Sequence, residues 1–126
     1  MKGPPQKISL SDWECFSKET PFTPRAGFVL FWGDIIGGTS DGVTGLNDIW
    51  RRSATGLGWE RVKESAEFSG RWGHTGVVIC NNCSEFPYTY KQVIIGGTSD
   101  GVTGLNDVWY SENGIDWIAA TLSAGF

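Results

Sequence analysis

The chain has 126 residues, a formal net charge of −4, 18 glycines and 7 tryptophans. That length suffices for one domain with a buried core. Mixed charge without a basic run argues against nucleic acid as a partner, and there is no apolar run of about 20 residues to span a membrane. Glycine and tryptophan in these numbers predict many tight turns with large aromatic wedges between sheets.

In chain order, residues 1–12 read as an N-terminal extension that lacks the apolar stretch of a signal peptide, so a cytoplasmic setting is the expectation. An outer strand is expected at 13–22, around Trp13. Short runs rich in β-branched and aromatic residues, bounded by glycines, then predict strands at 28–32, 34–36, 48–51 and 59–63. A second set follows at 74–80, 92–95, 107–111 and 117–120, with 81–91 read as an inserted loop. No window carries helical spacing over three turns, so the class is all-β.

These two sets are copies of one unit. Ile35 to Asp48 and Ile94 to Asp107 have identical sequences, IIGGTSDGVTGLND. The match continues as Ile49-Trp50 against Val108-Trp109, and the landmarks Trp13, Trp59 and Trp117, Phe22, Phe68 and Phe126, and Arg25-Ala26-Gly27 against Arg71-Trp72-Gly73 also recur. A period of about 40–50 residues is that of propeller blades or helical arrays, and four short strands per unit select the blade. The pairs Gly37-Gly38 and Gly96-Gly97 would end the second strand of each unit where a side chain would obstruct packing or a bend at φ > 0. Trp50, Trp59, Trp109 and Trp117 would supply the area between sheets.

Gly-Gly, then Trp50 or Trp109, then a second tryptophan at Trp59 or Trp117, resembles the Kelch repeat, as do Arg71–Val78 (RWGHTGVV) and Asn106–Gly114 (NDVWYSENG). The resemblance covers residues 13–126 and departs in the first copy, where Phe28 stands in place of the histidine. It implies two four-stranded antiparallel β-propeller blades, at about 23–63 and 70–121, behind the extra N-terminal outer strand. It also implies a protein-binding role. Ser111–Trp117 (SENGIDW) faintly resembles the Asp-box turn of sialidase propellers, which is a structural feature there. Two blades cannot close a ring. The expectation is either further blades in a longer chain or head-to-tail self-association, and the redundant front strand favours the former.

No catalytic constellation stands out. His74 is the single histidine and reads as structural; one histidine cannot build the two-histidine copper site of Kelch-type oxidases. Cys80-Asn81-Asn82-Cys83 has the spacing of half a zinc site, with only Cys15 and His74 to complete it. A local redox pair is a second reading, and plain strand-end residues the expected one. Three cysteines do not suggest a disulfide framework. Neither metal nor cofactor is expected: the acidic loops 39–47 and 98–106 lack the closely spaced carboxylates of a calcium site and read as Asp-Gly turns. The rival reading is a fragment of a propeller enzyme, oxidase-like or sugar-processing, whose catalytic residues lie outside this chain. Antiparallel order puts loops 39–47, 98–106 and 64–71 at one end. Asp41, Asp100, Glu64, Glu67 and Arg71 are therefore expected on one protein-binding face, with Phe86, Tyr88 and Tyr90 of the insertion as a competing site opposite.

Overall fold

A computed structural model describes residues 20–55 and 58–126; Trp13 and Cys15 lie outside them, as does all of the expected outer strand except 20–22, which carries no strand. Among the described residues there are eight strands and no helix: β1 (Val29–Phe31), β2 (Asp34–Ile36), β3 (Ile49–Arg52), β4 (Trp59–Lys63), β5 (Thr75–Asn82), β6 (Thr89–Ile95), β7 (Val108–Ser111) and β8 (Ile118–Thr121). They form two four-stranded sheets in the orders β1-β2-β3-β4 and β5-β6-β7-β8, every pair antiparallel. The protein is thus all-β, one sheet per copy of the repeat. No helix among the described residues is long and apolar enough to cross a membrane.

The copies keep one register. Trp50 lies opposite Ile35 and Arg61, and Trp109 opposite Ile94 and Ala119. A bulge falls after Ile49 in one sheet and after Val108 in the other. The expected loop 81–91 is strand at its two ends only: 81–82 close β5 and 89–91 open β6, while 83–88 form the connection. Cys80 pairs with Tyr90 and Asn82 with Thr89 across a further bulge. Pairing satisfies backbone groups that an open loop would leave to water.

The core is built between the sheets. Val29, Phe31, Ile36 and Ile49 of the first meet Ile94 and Trp117 of the second, with Ala66 and Phe68 of the linker joining them. Gly76 is where β5 lies against β1: a Cβ there would strike Val29 Cγ1 and the Phe31 ring. Gly76→Ala is therefore expected to cost about 1–3 kcal/mol by overpacking, measured by urea unfolding. An unchanged midpoint would show that β1 and β5 separate easily.

The tryptophans differ in burial. Trp117 is buried, whereas Trp50, Trp59 and Trp109, all expected to be buried, are half-buried. Each pair is capped by a phenylalanine from the preceding segment. Phe22 lies 5.9 Å from Trp50 and 5.2 Å from Trp59, and Phe68 lies 6.2 Å from Trp109 and 5.5 Å from Trp117.

Candidate functional site

The loop end of the sheet pair is held by two equivalent ion pairs. The Arg25 guanidinium donates from Nη1 and Nη2 to the two oxygens of Asp48, at 2.6 and 3.0 Å. Arg71 does the same to Asp107, at 2.6 and 2.8 Å. Each arginine also donates to the carbonyl of the first glycine of its Gly-Gly pair, Gly37 at 3.1 Å and Gly96 at 2.9 Å. Each aspartate in turn accepts the indole N–H of Trp50 or Trp109. The Arg71 hydrogen bonds hold the Asp107 carboxyl below its ordinary pKa. Burial pushes Asp48 upward, but the hydrogen bonds from Arg25 and Trp50 outweigh it and the net direction is down.

Backbone bonds then tie the loops together. The amide of Gly38 donates to Arg71 O, Arg71 to Leu46 O and Gly45 to Ser99 O, each at 2.9 Å. Both Gly-Gly pairs are left-handed throughout, and side chains there would meet carbonyls: Arg71 O lies 2.8 Å from a Cβ built on Gly37, and Ala26 O 2.9 Å from one on Gly38. Trp72 reaches across as well, donating its indole N–H to Val43 O at 3.1 Å.

Within this frame Asp41 and Asp100 make the expected turn. Asp41 Oδ1 accepts from the amides of Val43 and Thr44 at 2.8 and 2.7 Å, and Asp100 Oδ1 from Val102 and Thr103 at 2.9 and 2.8 Å. Those amides, with the Thr39 hydroxyl, lower Asp41 from 3.8 to about 2, and Asp100 is lowered by the equivalent bonds. Both residues are exposed.

The other expected face residues divide. Glu64 is exposed and pairs loosely with Arg61 at 3.9 Å. Glu67 is committed elsewhere: its Oε2 accepts the amide of Trp117 at 2.6 Å and its Oε1 pairs with Lys63. Burial raises Glu67, but Lys63 and the Trp117 amide hold it lower on balance. Arg71 is a correction. It is fully buried at 0% exposure, so it cannot meet a partner at the surface. Asp107 neutralises it inside the fold, and the pairing of an arginine with an aspartate far along the chain is invisible to local reading.

The opposite end carries exposed aromatics. Trp32 packs edge-on to Tyr90 with centroids 5.9 Å apart, and Phe86 to Tyr88 at 6.0 Å. Trp32 and Gly33 form a two-residue hairpin with both φ values positive, 43° and 98°. A bulky residue in that conformation is an outlier. Trp32 was expected as the last residue of the strand 28–32, and β1 instead ends at Phe31; the signal for the turn was Gly33, the single residue between the two predicted strands. Asn81, Thr89, Tyr90 and Glu112 line an open depression of about 360 Å³ beside it.

Cys80 and Cys83 are joined by a disulfide, which corrects the expectation of unpaired strand-end residues; their Cα atoms are 5.8 Å apart, within reach of a bridge. The β5 bulge between Cys80 and Asn82 lies within this short closure. His74 is buried between the sheets, 7% exposed, with neither ring nitrogen hydrogen-bonded. Among the described residues no three His, Cys, Asp or Glu side chains are grouped to hold a metal ion. The Ser111–Trp117 turn is closed by Ser111 Oγ, which accepts from Gly114, and by Asn113 Oδ1, which accepts from Ile115 and Asp116.

No protein-family model matches the chain, and neither does any curated protein or solved structure.

Proposed function

We propose that this chain is a noncatalytic pair of Kelch-type propeller blades that binds another protein through its loop end. The observation that carries the reading is the pair of identical acidic loops, 39–47 and 98–106, set side by side by the Gly45 N to Ser99 O bond. Each is stiffened by an aspartate that uses one carboxylate oxygen on its own backbone. Rigid loops on a sheet scaffold suit recognition, and ordering them in advance lowers the entropic cost of binding. Their charge favours a partner with a basic surface. A catalytic role for His74 is disfavoured by its burial.

The test preserves the turns while removing the charge. Asparagine keeps an oxygen for the same amides, so Asp41→Asn with Asp100→Asn is expected to leave the fold intact. Polypeptides captured by the wild-type chain, and released by salt, are expected to be lost with this double variant. They should be retained by Phe86→Ser with Tyr88→Ser at the opposite end. The reverse pattern would move recognition to the aromatic end and overturn the choice of face.

A further inference from the structure

The two outward faces of the sheet pair are faces that the repeat covers elsewhere in the same molecule. Aligning Gly27 with Gly73 sets Val29 against Thr75, Leu30 against Gly76 and Phe31 against Val77. Val29 and Phe31 point at β5 and are 9% and 5% exposed. Their counterparts Thr75 and Val77 lie on the far side of the second sheet and are exposed, Val77 at 43%. Conversely Gly76 lies against the first sheet, while its counterpart Leu30 is 60% exposed on the far side of that sheet. Two deeper positions agree: Ile36 and Ile49 are fully buried, and their counterparts Ile95 and Val108 only partly. Ile35, beside Leu30 and paired with Trp50, is 5% exposed like its counterpart Ile94 at 0%, where Phe22 already lies over Trp50.

Residue sizes on the two far faces fit each other. Inside the chain, two large residues, Val29 and Phe31, close on a glycine. On the far faces the smaller Thr75 and Val77 would meet the larger Leu30. The volume lost on one face is supplied by the other, as close packing requires.

The segment after β8 repeats the segment after β4. Ala66 N donates to Asn47 O at 2.9 Å and Ala124 N to Asn106 O at 2.8 Å, while the amide side chains of Asn47 and Asn106 donate back to Ala66 O and Ala124 O at 3.2 and 3.1 Å. Two residues on, Phe68 is 1% exposed over the tryptophans of the next sheet, whereas Phe126 is 72% exposed.

We propose that a second copy of this chain docks head to tail, the far face of its first sheet on the far face of the second sheet of the first copy. The contact repeats the interface between the two sheets within one chain. In it, Phe126 of one copy takes the place of Phe22 over Trp50 and Trp59 of the next. Such an interface is heterologous, so each added copy leaves one face free at either end unless the ring closes. It goes beyond the partner reading and uses none of its residues.

The test is sedimentation of the full chain with two variants, Leu30→Asp and Val77→Asp, each blocking one face at an exposed position and each checked for fold by tryptophan fluorescence. The wild type is expected to give assemblies larger than a monomer, and each variant alone a monomer. An equimolar mixture is expected to give a one-to-one dimer, because one intact pair of faces remains. Phe126→Ala should weaken association roughly tenfold, and Phe22→Ala, by removing the competitor, should tighten it. Dimers formed by either variant alone, a mixture that stays monomeric, or the opposite order of the two phenylalanine variants would overturn the proposal. A wild type monomeric at every concentration would do so too, and would leave the faces to further repeats of a longer polypeptide.

Discussion

Arg71→Ala is expected to lower the unfolding free energy by about 3–5 kcal/mol, the range for removing one partner of a buried ion pair. The guanidinium has no exposure, lies over the Phe68 ring at 5.4 Å and donates to Asp107, Gly96 O and Ser69 O. Its loss leaves the Asp107 carboxylate, only 15% exposed, with the Trp109 indole as its remaining side-chain donor. Arg71→Lys should recover part of the loss, since an ammonium cannot bind both carboxylate oxygens in the same plane. Arg71→Met combined with Asp107→Leu should be far less damaging than Arg71→Ala alone, because no buried charge is left unpaired. Urea unfolding followed by tryptophan fluorescence measures all of these. A loss below about 1 kcal/mol for Arg71→Ala would show that the pair is not what fastens the loop end.

The second large effect is acid destabilisation through His74. Burial, and then the charge of Arg71, push its pKa from 6.5 down to about 4, against a weak opposing pull from the Ile36 backbone that falls short of a hydrogen bond. The unfolded chain takes up a proton near pH 6.5, whereas the folded chain resists it until about pH 4. The contribution is therefore complete above pH 6.5 and is lost as pH falls through that window, by about 3 kcal/mol in all. Below it, protonation of Asp48 and Asp107, both held under their ordinary values, removes further stability. His74→Phe installs the residue that the first copy carries at the same place, Phe28, and should flatten the slope between pH 6.5 and 4 while leaving the lower limb. Unfolding midpoints at a series of pH values test this; a wild-type profile that is flat over that window would refute it.

Much of this molecule is local and can be read along the chain. The duplicated segment Ile35–Asp48 and Ile94–Asp107, the eight strands and the aspartate turns follow from β-branched runs, glycine pairs and short-range hydrogen bonds. These are properties of a few consecutive residues, so they survive in both copies. What the sequence left open depends on residues far apart. Arg71 looked like a surface charge because its partner Asp107 lies 36 positions away. Glu67 looked free because the amide it accepts, that of Trp117, lies 50 positions on. The ends of the insertion read as loop because the pairing of Cys80 with Tyr90 is a matter of register. Tertiary structure alone decided at which repeated positions only one copy is covered. Ile49 is fully buried and its counterpart Val108 is not, since burial depends on whether a neighbouring sheet lies against that face.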